Sequence, residues 1–361
     1  MLRKRSLFTL ITLLSCTLFA APALAAPPEY AVIDLGILPG GHSSAGLGIS
    51  YYGATVGITS TAVVTQKAFY SAAGAMVDLG TLPGYTNSRA EGLTEFAPFW
   101  PIIVGWSSND SDPGGGRAFA DVFGVMFDLG SLGGPNSRAH AIAGQGFIVG
   151  EAQPGQAPSG IWHAFRTQPF SYINPATDDL GTLAGATSSF ATAVNNWAMV
   201  TGNSGGHAYR TAPYSKINPF TDDLGTLGGG FSIGFGINQA GTVVGVSNTA
   251  VTSTLTGKPI DHAFLYDSAG MHDLGTTAAF ESSAASAIND RGQVVGSLSN
   301  TPPDFHAMLW DKKHGMRDLN TLIPSRANWT LQIGHAINNR GQIVGWGLHA
   351  GQQHAFLLHP L

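Results

Sequence analysis

The stretch "HAFLYDSAGMHDLGT", His262 to Thr276, is nearly repeated as "HAMLWDKKHGMRDLN", His306 to Asn320, and more faintly as "KAFYSAAGAMVDLGT", Lys67 to Thr81. Each copy is a short apolar run, a turn, and a second run ending in Asp-Leu, which is the pattern of a β-hairpin. Asp-Leu begins at Asp34, Asp78, Asp128, Asp179, Asp223, Asp273 and Asp318, at spacings of 44, 50, 51, 44, 50 and 45 residues. Six copies continue with Gly; the seventh has Asn320, which also tolerates left-handed backbone. Repeats of this length match four-stranded propeller blades, whereas solenoids with one strand per coil repeat at a much smaller period.

The rest of each repeat supplies the other two strands. In "AINDRGQVVG", "GINQAGTVVG" and "AINNRGQIVG", two apolar stretches flank a turn that ends in Gly. No stretch keeps a helical period, so the chain reads as all-β. The two ends of the repeat array are complementary. The first strand, "EYAVIDLG", has no HAF strand before it, and the last, "HAFLLHPL", has no Asp-Leu strand after it. Pairing these ends would leave no lone edge strand. The expectation is a seven-bladed β-propeller whose last blade joins residues 30–36 to residues 331–361.

The residue before Ala in the HAF strand is Lys67, Arg117, His163, His207, His262, His306 and His354 in turn. All seven can carry positive charge, and the hairpin register brings each within reach of an Asp. A base–Asp contact in every blade is expected to lock the hairpin and hold the Asp as an acceptor for nearby backbone N–H groups. Five histidines and seven aspartates also form a metal or acid–base inventory, but ligands of one ion must converge and these pairs are spread around a ring. They are therefore assigned a structural role, with no metal and no cofactor expected. The HAF aromatics (Phe69, Phe119, Phe165, Tyr209, Phe264 and Phe356, with Met308 replacing one) are assigned to the core between blades.

Residues 1–26 read as a secretory signal. Arg3, Lys4 and Arg5 precede an apolar run, and Ala23-Leu24-Ala25 offers a cleavage site. "LLSC" at Cys16 is a weaker lipoprotein signal. Residues 27–361 form the single propeller domain and contain no cysteine, so packing alone must hold it together. Removing three basic residues from 17 leaves 14 against 22 acidic ones, a net charge of −8. Such a chain has no basic patch for a nucleic-acid backbone. No later apolar run is long enough to span a bilayer. The composition, with 48 glycines and 11% charged residues, suits short strands and many turns.

The combination "DLGTLGG…AIN..GQVVG…HAF" resembles the extracellular HAF-repeat family, from "VIDLG" to "HAFLL". The third, fifth and sixth copies are closest and the fourth is looser. The first two depart most, with Lys67 and Arg117 in place of His and without the Asn-x-x-Gly turn. The resemblance implies a secreted or surface repeat protein and brings no activity with it.

A site is needed once and should break the periodicity. No nucleophile elbow, zinc-protease motif or phosphate loop occurs, and no catalytic residue is assigned. "NDSDPGGG", Asn109 to Gly116, clusters oxygen ligands without a full calcium spacing. The loops after Asp-Leu-Gly and those before each HAF strand, with long versions at 106–116, 151–162 and 246–261, should emerge on one face. That face is expected to carry Tyr85, Trp106, Trp162, Phe231, Phe280 and Trp329 as a binding surface for a glycan or another protein. Two alternatives are an exported carbohydrate-active hydrolase or lyase using loop carboxylates with His42, His140 or His335, and a structural envelope protein.

Overall fold

A computed structural model of the chain describes residues 29–361, apart from 62–64, 73, 96–100, 111, 156–157, 159 and 301–303. The signal segment and Cys16 thus lie outside the described residues. Seven antiparallel sheets form seven blades. The first blade shows the common order: an inner strand Gly41–Ile49, then Thr55–Thr61, the HAF-type strand Gln66–Ala72 and the outer strand Ala75–Asp78. In the fourth blade the outer strand shrinks to one bridge, Tyr209 to Asp223, in the register that Phe264 and Asp273 show in the fifth. The seventh blade takes its outer strand, Tyr30–Gly36, from the start of the chain, paired with Gln352–Pro360 at its end. Ring closure is therefore the one expected from the sequence, and it leaves the last HAF strand paired on both sides.

Three devices repeat around the ring. The first is the Asp-Leu aspartate, whose carboxylate accepts the N–H two residues on. The acceptor distances are 2.7–2.8 Å at Gly36, Gly80, Gly130, Gly181, Gly225, Gly275 and Asn320. This is an Asx turn, and the six glycines take the positive φ that it needs.

The second device staples blade to blade through a serine. Ser44, Ser88, Ser137, Ser189, Ser232 and Ser283 each accept the N–H of the HAF Ala of the preceding blade. Each also donates to the carbonyl of that blade's Asp-Leu-Gly glycine at 2.5–2.6 Å. At the seventh junction Leu331 occupies the serine position, and the Asn320 side chain replaces the staple by bonding both the N–H and the C=O of Leu331. Asn320 departs from Gly because it takes over this work.

The third device is a bulge. Every inner strand skips one residue of its ladder: between Gly46 and Gly48, Ala90 and Gly92, Ala139 and Ala141, Ala191 and Ala193, Gly234 and Gly236, Ala285 and Ala287, and Gly334 and Ala336. Opposite stands the Gly that ends "VVG" and its variants. A Cβ on Gly57, Gly105, Gly150, Gly202, Gly245, Gly296 or Gly345 would lie 1.9–2.0 Å from a carbonyl oxygen of the inner strand. Glycine is obligatory there because the two backbones touch. Against it packs the HAF aromatic or Met308, fully buried in all seven blades.

On the opposite face a belt of asparagine amides joins the inner hairpins. Asn195, Asn238, Asn289 and Asn338 each donate to a backbone carbonyl of the next blade's turn.

The base–Asp contact occurs in six blades. His163, His207, His262, His306 and His354 place Nδ1 within 2.6–3.1 Å of the carboxylate, and Arg117 reaches Asp128 at 3.2 Å. Lys67 makes no such ion pair with Asp78, whose carboxylate still holds the Gly80 N–H. A flexible stem with one ammonium lacks the planar donor edge that imidazole and guanidinium hold beside the strand.

Candidate functional site: the central channel

The bulges decide where chemistry can sit. A bulge leaves its extra residue unpaired and re-aims that side chain. The seven bulged residues are Leu47, Glu91, His140, Thr192, Phe235, Ser286 and His335, and all seven line one cavity on the propeller axis. Its volume is about 570 Å³, within the range of ligand pockets. Arg89, Phe190 and Ile333, two residues earlier on their strands, and Glu151 and Ser297 on the adjoining strands complete the wall. Below, Ile49, Ile142, Val194, Ile237, Ile288 and Ile337 form an apolar ring at the turn face, bordering a smaller space of about 180 Å³.

Charge is concentrated on one side. In the second blade Arg89 pairs with Glu91 through Nε and Oε1. In the third, Arg138 Nη1 donates to Glu151 Oε1 at 3.1 Å, and His140 Nε2 lies 3.9 Å from the same oxygen. Burial pushes the Glu151 carboxyl up, but His140 and Arg138 outweigh it and hold the group below its usual range, ionised at neutral pH. His335, in the seventh blade, is driven down to about 4 by burial and by the Arg89 charge, against the pull of Glu91. It is a neutral imidazole at pH 7. The Arg138 guanidinium also lies 4.9 Å from the Trp106 ring and 5.1 Å from that of Trp162. Arginine on two indole faces ties the charged wall to the aromatic rim.

The residues anticipated from sequence fall into two groups. Trp106 and Trp162 flank the charged wall through Arg138. Trp106 sits in the strand Ile103–Asn109 rather than in a loop, because the polar ladder continues to the pair Asn109–Asp112. Likewise the strands Val243–Thr252 and Pro259–Asp267 shorten the expected loop at 246–261. Tyr85, Phe280 and Trp329 are partly buried against the cores between blades. Phe231, in the strand Gly228–Ile237, is 38% exposed. His140 and His335 both reach the channel, whereas His42 is exposed outside it, and its carbonyl accepts from Gln352. Of "NDSDPGGG", Ser111 and the side chains of residues 112–114 lie outside the described residues.

Sequence reasoning did not single out Glu91, Glu151, Arg89 or Arg138. The signal was available: the residue immediately before the Ala or Gly that precedes Ile-Asn, or its equivalent in the other copies, is the bulged one, and its seven occupants are of six types. Four strongly exposed aromatics were also missed. Phe170, Tyr172, Tyr214 and Phe220 are 58–84% exposed on the long hairpin connections of the third and fourth blades, "TQPFSYINPATDD" and "TAPYSKINPFTDD".

Comparison with known proteins bears on shape alone. A family described as a protein of unknown function, DUF3466, matches residues 231–354, the fifth blade to the HAF triplet of the seventh. No curated protein matches the chain. Among solved structures, the extracellular domain of a proposed one-component system of B. thetaiotaomicron is 11% identical with a TM-score of 0.53, over 91% of this chain and 39% of that one. The mitotic checkpoint complex contains a chain that is 11% identical with a TM-score of 0.48, over 100% of both chains. The propeller domain of the trilobed protease of Pyrococcus furiosus is 8% identical with a TM-score of 0.49, over 88% of this chain and 94% of that one. Among the described residues, no helix is long and apolar enough to cross a membrane.

Proposed function

We propose that this chain is an exported binding propeller of the HAF-repeat kind, and that it takes a saccharide-sized polar ligand in the upper half of the central channel. One observation carries the reading. The positions that build the blades repeat one residue type, with the Asp of Asp-Leu and the glycine that ends VVG in all seven copies and the staple serine in six, whereas the seven bulged positions facing the cavity carry six different residue types. A position that the fold presents seven times but does not dictate is free to be selected for recognition. An ionised Glu151, a neutral His335, the guanidinium of Arg89 and the hydroxyls of Thr192, Ser286 and Ser297 offer donors and acceptors, while Leu47, Phe190, Phe235 and Ile333 offer apolar faces. This mixture suits a sugar ring, which is polar at its edge and apolar on its faces. The tryptophans at 106 and 162 extend the rim in the same sense. Export is supported by the N-terminal segment, and a propeller of similar fold serves elsewhere as an extracellular domain.

The test is a glycan array on the protein comprising residues 27–361, followed by calorimetry and product analysis on any hit. Binding without turnover, weakened tenfold or more in Glu151→Gln, is the expected result. Turnover that vanishes in Glu91→Gln or Glu151→Gln would replace the binding reading by the hydrolase or lyase. No binding to any glycan or exported protein would leave the envelope-scaffold reading.

A further inference from the structure

The six other blades give each Asp-Leu aspartate at most one basic partner. The seventh gives Asp34 two. His354 Nδ1 lies 2.9 and 3.0 Å from the two carboxylate oxygens, as the repeat dictates. His349 Nδ1 lies 3.1 Å from Oδ2, and nothing in the repeat asks for it. The equivalent positions, four residues after the VVG glycine, are Thr61, Asn109, Pro154, Gly206, Thr249 and Asn300. None of these can ligate through nitrogen.

The ligand atoms of Asp34, His349 and His354 all lie within 4.8 Å of one another. Their rings are held by packing. His349 is the cross-strand partner of Trp329 and stacks on it with centroids 4.8 Å apart and planes 1° from parallel. Trp329 also meets His354 edge-on, and the two imidazoles stand 80° apart. The Gly36 N–H occupies Asp34 Oδ1 at 2.8 Å, which orients the carboxylate and leaves Oδ2 on the histidine side. This is the kind of outer contact that fixes a metal ligand.

We propose that Asp34, His349 and His354 form a divalent transition-metal site, with zinc the best-matched ion, which clips the N-terminal strand to the last two strands of the ring. Two imidazole nitrogens and one carboxylate oxygen are a borderline donor set that suits zinc and excludes magnesium and calcium. Tetrahedral zinc holds such atoms about 3.3 Å apart, so the N···O contacts of 2.9–3.1 Å would open by a few tenths of an ångström and the two nitrogens would settle around the ion, while water takes the fourth position. On binding, each Nδ1 gives its lone pair to the metal and its imidazole proton sits on Nε2. The ion would bridge residue 34 to residues 349 and 354, the two ends of the chain, so its affinity adds to closure of the ring.

The experiment uses the chain from residue 27 without a polyhistidine tag. Thermal unfolding is followed after chelator treatment, then with zinc or magnesium added, and bound zinc is counted by elemental analysis. The wild type is expected to bind one zinc per chain and to gain about 4 °C at a hundredfold excess over Kd. Magnesium should do nothing. His349→Phe, which keeps an aromatic ring on Trp329, and Asp34→Asn should both lose the bound zinc and the shift; His262→Ala, in a blade with a single pair, should keep both. The proposal is overturned if the wild type binds no zinc, or if His349→Phe and Asp34→Asn still bind one equivalent.

Discussion

At Asp273 the carboxylate accepts the Gly275 N–H at 2.7 Å, and both of its oxygens lie within 2.9 Å of His262 Nδ1. The first contact exists in all seven blades and the second kind in six, so the turn ranks above the ion pair. Asp273→Ala should therefore cost about 1–2 kcal/mol in thermal or denaturant unfolding, the loss expected for a cap-like acceptor. His262→Ala should cost under about 1 kcal/mol, since half-exposed pairs are screened. The ranking is wrong if the histidine change is the costlier of the two. His335 gives a pH prediction. Its folded value is about 4 against 6.5 for a free imidazole, so the unfolded chain binds the extra proton first. Stability from this group is full above pH 6.5 and is lost as pH falls toward 4. Unfolding profiles of wild type and His335→Gln should therefore run parallel above pH 7 and converge, or cross in favour of the variant, near pH 5. A constant gap across that window would contradict the buried neutral imidazole. The sequence displayed the Asp–base pairing but not the serine staple. Serine is common, and its partners are backbone atoms of another blade.

Strand positions were legible from the hairpin repeat and its turns, whereas the bulge was not. A bulge changes no letter except the glycine opposite it, and "VVG" reads equally well as a turn-proximal glycine. The Cβ test resolves this, because on Gly296 a methyl would lie 1.9 Å from the Ala284 carbonyl oxygen. Gly296→Ala is expected to cost about 3 kcal/mol or to prevent folding, while Gly275→Ala, in open space but at positive φ, should cost about 1 kcal/mol. Equal effects in an unfolding titration would rule out the close backbone approach. Because the bulge was hidden, the channel ring was hidden too. Glu91 and Glu151 carry no motif of their own, and of the loop aromatics expected to form a surface, Tyr85, Phe280 and Trp329 pack between blades.

The ring as a whole depends on a strand donated from residues 30–36. A chain beginning at residue 37 should expose the last HAF strand as an edge and lose cooperative unfolding, whereas moving 30–36 to follow Leu361 should restore it. Topology was readable because the repeats are out of phase with the chain ends; the channel's contents required the seven inner strands to be seen together. On the reading proposed above, the repeat builds the scaffold while the seven bulged residues hold the ligand. The most direct test of that reading is calorimetric titration of the ligand recovered by array into wild type, Asp273→Ala and the paired variant Glu91→Gln/His140→Leu. The account predicts that Asp273→Ala lowers the unfolding temperature and leaves Kd within twofold, while the channel variant unfolds near the wild-type temperature and binds at least tenfold more weakly. Unchanged binding in the channel variant, with loss of binding in a folded Asp273→Ala protein, would contradict it.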